Sequence, residues 1–212
     1  QRSWRRIYRS QIMLLYANGD SHTASWSYID VIGENFGTEF VNQAIHGTSN
    51  ASIIRRTREY LKHTTPDLII IGWSTWEREE WEHKGLYYNV NSSGYDDLPD
   101  VLKHQYKSWV TTQTQKTLNQ KSKYWHTKIF EFHQELGTIP HVFFNCMYDF
   151  FTTKYRYPWG KCFIGPYDND QSYYHWLKSQ DCEADEGYHY KPDGHRLWAN
   201  RVMNYIKDNH IL

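Results

Sequence analysis

IMLLYANGDSHT, residues Ile12 to Thr23, joins a short apolar run directly to a polar turn. Ile12–Ala17 has the length and composition of a buried strand, and Asn18-Gly19-Asp20-Ser21-His22-Thr23 leads into Ala24–Phe36, which stops at Gly37 as helices often do. The unit is strand, tight turn, helix. The same alternation recurs outward from it. Glu39–Ile45 reads as a second strand ending in His46-Gly47-Thr48-Ser49-Asn50, and Asn50–His63 carries Ile53, Ile54, Thr57 and Leu61 on one side of a helix. Pro66-Asp67 opens Leu68–Trp73 (LIIIGW), a continuous apolar run of the kind found in parallel strands covered on both faces.

Downstream, Glu77–Glu82 is charged and Trp-rich, and Lys84–Pro99 has the Gly, Asn, Ser, Asp and Pro of an excursion loop. Asp100–Leu136 keeps aromatic and aliphatic residues three or four apart, which predicts a long or broken helix. Pro140 precedes a fourth strand, His141–Met147, and a short helix is expected near Ser172–Ser179. Asp193 is expected to cap the last helix, Gly194–Asn209. Strand and helix thus alternate along the chain. The expected fold class is α/β, a three-layer α/β/α sandwich around a mostly parallel sheet of about four or five strands with flavodoxin-like topology. Residues 12–212 are read as a single domain and residues 1–11, basic and with Met13 just beyond them, as an extension or expression remnant.

Composition excludes several functions. Of 212 residues, 39% are hydrophobic and 17% aromatic, ample for a core, so disorder over most of the length is ruled out. Lys and Arg (24) balance Asp and Glu (24), which removes the bulk attraction that nonspecific nucleic-acid binding needs. No run approaches the roughly eighteen apolar residues of a membrane span, and no apolar signal-peptide core is seen, so no membrane partner is expected. Cys146, Cys162 and Cys182 form no CxxC pattern, which favours a reducing, cytoplasmic setting over a disulfide framework. His22, His46 and His83 lie in different loops without HExxH spacing, so neither a metal nor another cofactor is expected.

In a parallel sheet, ligands gather beyond the carboxyl ends of the strands, where Gly19–Thr23, Gly47–Asn50 and Gly72–Trp76 fall. A serine between a strand end and a helix N-terminus, as Ser21 is, displays its hydroxyl beside backbone N–H groups. The same position also suits a plain turn or capping residue. Glu77, Arg78, Glu80 and Trp81 read as an ion-paired surface or supporting group around the third strand's end, and the aromatic stretch Tyr148–Tyr174 is where a glycan-binding wall would lie.

Taken together, these segments resemble the SGNH, or GDSL-type, hydrolases. Gly19-Asp20-Ser21 is similar to their first motif, Gly47 to their glycine motif, and Gly72-Trp73-Ser74 to part of their Gly-x-Asn motif. Glu186-Gly187-Tyr188-His189, followed by Gly194-His195, is similar in order and spacing to their last motif, an acid, two residues, a catalytic His, then a Gly-His pair. The resemblance spans roughly Met13 to Ile206 around a divergent middle. The Gly-Thr-Ser-Asn and Trp-Ser-Thr-Trp-Glu-Arg segments look like a branch common in tailed viruses of bacteria, phages, whose host cytoplasm would then be the setting.

The resemblance implies a serine esterase or acyl-transferase acting on a small-molecule or carbohydrate ester. Ser21 would be the nucleophile, His189 the base, and Glu186, or Asp185 beside it, the acid that orients the imidazole. Ser21, Gly47, and Ser74 or Asn50 would supply the oxyanion donors; Asn50 reads equally well as an N-cap. His189 is expected within hydrogen-bonding reach of Ser21, with His195 left to packing. Two departures stand out: Ser74 replaces the motif's Asn, and Tyr190 replaces its Pro. A catalytically silent glycan-binding or structural module with this fold is the alternative. A flavodoxin-type nucleotide binder would use the same sheet edge, but the chain lacks a Gly-rich phosphate loop.

Overall fold

The computed structural model describes residues 13–150 and 154–212; the N-terminal extension expected over 1–11 lies outside them. Its first half runs β1 (Leu14–Gly19), α1 (Tyr28–Phe36), β2 (Glu39–Asn42), α2 (Asn50–Leu61), β3 (Leu68–Trp73), β4 (Glu79–His83) and β5 (Leu86–Val90). The second half runs α3 (Asp100–Thr111), α4 (Gln115–Leu136), β6 (His141–Asn145), β7 (Phe163–Ile164), α5 (Tyr173–Ser179) and α6 (Pro192–Asp208).

Five strands form one parallel sheet in the order β2-β1-β3-β6-β7. The chain leaves β1 for β2 on one side and later returns to β3 on the other, so the topology switches between β1 and β3. Such a switch opens a crevice beyond the carboxyl ends of the two strands. Those ends are level, since Gly19 is in register with Gly72.

Alternation of side chains sorts the sheet residues into two cores. Leu15, Ala17, Leu68, Ile70, Val142 and Phe144 pack with α1, α5 and α6, while Tyr16, Ile69, Ile71, Trp73 and Phe143 pack with α2 and α4. The result is the expected three-layer sandwich. Burying both faces explains why β3 reads as an unbroken apolar run: all six of its residues are inside. Ser27 begins α1 by accepting from the Ile29 N–H, with Asp30 returning the bond to the Ser27 N–H, and Gly37 ends it in the left-handed conformation (φ 64°).

Two local expectations need correction and a third is resolved. The excursion Glu77–Pro99 contains an antiparallel hairpin, β4 paired with β5, and with α3 it builds a small core of its own around Val90, Leu98, Leu102, Tyr106 and Trp109. Of the long or broken helix expected over Asp100–Leu136, the broken form is present: α3 and α4 part at Thr112–Thr114, where Thr114 caps α4. Asp193 does not cap α6. Pro192, with its preset φ, is the first helical residue, and the Asp193 carboxylate inside the first turn pairs with Arg196 at 2.8 Å.

Candidate active site

Ser21 lies two residues beyond the end of β1 and is half-buried. Its neighbour Asp20 is fully buried, and the turn closes through Thr23 and Ala24 N–H groups donating to the Asp20 carbonyl (3.0 and 2.9 Å). Among the described residues, neither the hydroxyl nor the N–H of Ser21 makes a hydrogen bond, and the same holds for the Gly47 N–H. Gly47 needs to be glycine: its φ is +68°, and an added Cβ would meet Asn91 Nδ2 at 2.8 Å. The turn around it is held from the hairpin, where Asn89 Oδ1 accepts from the Ser49 N–H (3.2 Å) and the Thr48 hydroxyl (3.3 Å).

One side chain gathers the three strand-end segments. Arg78 Nη1 donates to Asp20 Oδ2 (3.2 Å), to the Thr48 carbonyl (3.4 Å) and to Ser74 Oγ (2.9 Å). The residues before Ser21 and after Gly47 are thereby tied to the residue that stands where the family motif has Asn. The Arg78–Asp20 contact is a buried ion pair, and the second Asp20 oxygen accepts from the His22 N–H at 3.1 Å. Sequence reasoning read Arg78 as a supporting group at the end of β3, but its three partners lie in segments far apart in the chain.

Ser74 and Asn50 come together, though not as two independent donors. Asn50 Oδ1 accepts from the Ser74 N–H (2.8 Å) and its Nδ2 donates to the Ser74 carbonyl (3.1 Å), so the amide clamps the Ser74 peptide. Asn50 is not the N-cap of α2; Ser49 is, accepting from the Ser52 N–H. Because Ser74 Oγ receives the Arg78 hydrogen bond, the hydroxyl proton is left to point elsewhere.

Before α6, an Ala184–Tyr190 bridge pinches residues 184–190 into a tight loop. Within it the Asp185 carboxylate accepts the His189 N–H at 2.8 Å and lies 3.4 Å from His189 Nδ1. The His189 N–H donating to it holds the Asp185 carboxyl below the usual carboxylate range. Gly187 sits inside this pair: an added Cβ would lie 3.0 Å from His189 Nδ1 and 3.3 Å from Asp185 Oδ1. Glu186, the acid at motif spacing, is exposed and makes no hydrogen bond or ion pair among the described residues.

No hydrogen bond joins His189 to Ser21. The His189 ring instead packs on His22, with centroids 5.4 Å apart. His22 is buried, its Nδ1 lacks a partner among the described residues, and burial pushes its pKa down. His195, in the first turn of α6, is also buried; its Nδ1 lies 3.1 Å from the Tyr173 hydroxyl, and burial pushes its pKa down to about 4. Part of the expected aromatic wall is core: Phe150, Trp159, Phe163 and Tyr173 are buried. Tyr148 and Tyr155 and, outside that stretch, Tyr188 and Trp26 are exposed, and Trp26 stands edge-on to His195.

No family model matches the chain, and no curated protein matches it in sequence. Solved structures do. A lipase/acylhydrolase from Enterococcus faecalis superposes with a TM-score of 0.52 at 12% identity, covering 93% of this chain and 96% of its own. A catalytic mutant of an acetylxylan esterase from Geobacillus stearothermophilus gives 0.51 at 12% identity, covering 92% and 94%. A psychrotrophic esterase from a Pseudoalteromonas species gives 0.50 at 10% identity, covering 92% and 97%. At such low identity the likeness speaks for architecture, and the chain has the α/β/α fold of the GDSL-type, or SGNH, esterases and lipases.

Proposed function

We propose that the chain is a serine ester hydrolase or acyl-transferase of the SGNH type, acting on a small O-acyl or carbohydrate ester through an acyl-enzyme on Ser21. The observation that carries this reading is the Asp185–His189 pair packed against His22, the residue next to Ser21. With His189 Nδ1 facing Asp185, Nε2 is the nitrogen left to accept the serine proton. A shift of the exposed loop on substrate binding would close the remaining gap, as catalytic hydrogen bonds are often long before a ligand is bound.

The alkoxide of Ser21 attacks the ester carbonyl, and the charge moves to the carbonyl oxygen. The free N–H groups of Ser21 and Gly47, with the Ser74 hydroxyl proton turned away from Arg78, supply the oxyanion donors; each such donor contributes about 3–4 kcal/mol. Asn50 acts through Ser74 as a positioning residue. His189 then delivers its proton to the departing alcohol. A water or sugar hydroxyl, deprotonated by His189, attacks the acyl carbon and frees Ser21. The exposed rings of Trp26, Tyr148 and Tyr188 supply stacking surface for a sugar. The virus-associated branch rests on the Gly-Thr-Ser-Asn and Trp-Ser-Thr-Trp-Glu-Arg segments alone.

A fluorophosphonate probe should label Ser21, and p-nitrophenyl acetate should be turned over. Ser21→Ala should abolish both, and His189→Ala should abolish turnover, each with wild-type circular dichroism. Labelling at another residue would overturn the assignment. A wild-type chain that is neither labelled nor active would favour the silent glycan-binding or structural module, the reading to which the missing Ser21–His189 hydrogen bond belongs.

A further inference from the structure

At the opposite end of the sheet from Ser21, three segments bring nitrogen and sulfur ligands together. His133 lies in the last turn of α4, His141 is the first residue of β6, and Cys162 immediately precedes β7. One potential ligand atom from each lies within 4.8 Å of the others. We propose that His133, His141 and Cys162 form a zinc site that clips the end of α4 to the entry of the last two strands.

The ligand type and its support fit that metal. Two imidazoles and a thiolate suit zinc, with water in the fourth tetrahedral position. The Nδ1 of His141 bonds the Ile139 carbonyl at 2.7 Å, which assigns the proton to Nδ1 and leaves Nε2 with its lone pair outward. That Nε2 lies 2.7 Å from His133 Nδ1. Cys162 is anchored next door, its carbonyl accepting the Phe143 N–H at 2.7 Å and its own N–H donating to Trp159 at 3.2 Å. Rings of Phe130, Phe143 and Trp159 flank the histidines and limit access of water.

Metal entry requires a small rearrangement. Two nitrogens bound to a tetrahedral zinc at about 2.0–2.1 Å stand about 3.3 Å apart, so the histidine pair opens by about 0.6 Å from its hydrogen-bonded separation. The proton on His133 Nδ1 moves to Nε2, a change of tautomer without net loss. The Cys162 thiol gives up its proton to solvent, so one proton is released per zinc bound. β6 places its far end about 13 Å away at about 3.3 Å per residue, so this metal takes no part in chemistry at Ser21.

The test is a cobalt(II) titration of the reduced, chelator-treated full chain, followed by zinc(II) competition. One equivalent of cobalt should produce a thiolate-to-metal charge-transfer band with tetrahedral d–d bands, and one equivalent of zinc should remove them. Calorimetry in buffers of different ionisation enthalpy should give one proton released per zinc. Cys162→Ser should lose the charge-transfer band and His133→Asn should weaken cobalt binding at least tenfold, both with wild-type circular dichroism, while Cys182→Ser binds as wild type. The proposal fails if no saturable band forms, if the band survives in Cys162→Ser, or if it is lost with Cys182.

Discussion

Replacing Arg78 by methionine removes a guanidinium and leaves a carboxylate stranded. The Asp20 side chain is fully buried, Arg78 is 19% exposed, and their contact is 3.2 Å. Breaking a buried ion pair from one side costs about 3–5 kcal/mol, because the remaining charge has lost its partner. Asp20 keeps the His22 N–H, and Arg78 is partly solvated, so the lower end of that range, about 3 kcal/mol, is expected. That is a large fraction of the roughly 5–15 kcal/mol that holds a domain together. The double replacement Asp20→Asn with Arg78→Met strands no charge and should cost only about 1 kcal/mol, for the hydrogen bonds to Ser74 and Thr48. Urea unfolding at pH 7, followed by circular dichroism, measures both. A single variant within about 1 kcal/mol of wild type, or a double variant less stable than the single, would refute the reasoning.

The acid can be assigned by parallel substitution: Asp185→Asn should lower kcat for p-nitrophenyl acetate by about 10²-fold or more, while Glu186→Gln should leave it within about twofold. Equal losses would refute the pairing seen in the loop. Acid should destabilise the fold through its buried histidines. Burial holds His126, His141 and His195 down to about 4, against about 6.5 in the unfolded chain. Between those values the unfolded state binds more protons, so stability falls as pH drops from about 6.5 to about 4 and these groups add no further loss below that. Urea midpoints from pH 7 to pH 4.5 should decline, and less steeply in His195→Gln; an unchanged slope in that variant would count against the buried neutral ring.

What could be read in the sequence followed burial. β3 was legible residue by residue because both faces are covered, and α2 because its apolar stripe meets only one layer. The hairpin was not legible: Glu79-Glu80-Trp81-Glu82-His83 lies half in solvent, and its charges mask the alternation that marks a strand. The α6 start was misplaced because Asp193 is a good capping residue, yet Pro192 already fits the first helical position. At the sheet edge, the positions of Ser21, Gly47 and Ser74 followed from strand ends, but the Arg78 contacts arise only when three distant segments meet. Motif spacing puts Glu186 first with Asp185 beside it, and only the backbone of the pinched loop, which brings the Asp185 carboxylate to the His189 N–H, separates the two. His133, His141 and Cys162 share no sequence spacing, so scanning the loop histidines could not find them.

The β4–β5 hairpin acts as an outboard splint on the glycine turn. It is bolted to α2 by the two-point Arg55–Glu80 pair and by the Arg55 guanidinium lying 4.0 Å over the Tyr87 ring, and from that footing Asn89 grips Thr48 and Ser49. The aim of the Gly47 N–H is therefore set by an insertion that contributes no strand to the central sheet. Lengthening, shortening or exchanging that ribbon can retune the site while the sheet beneath it stays as it is, which makes the hairpin the natural place for selectivity to drift and the first place to graft when redirecting it.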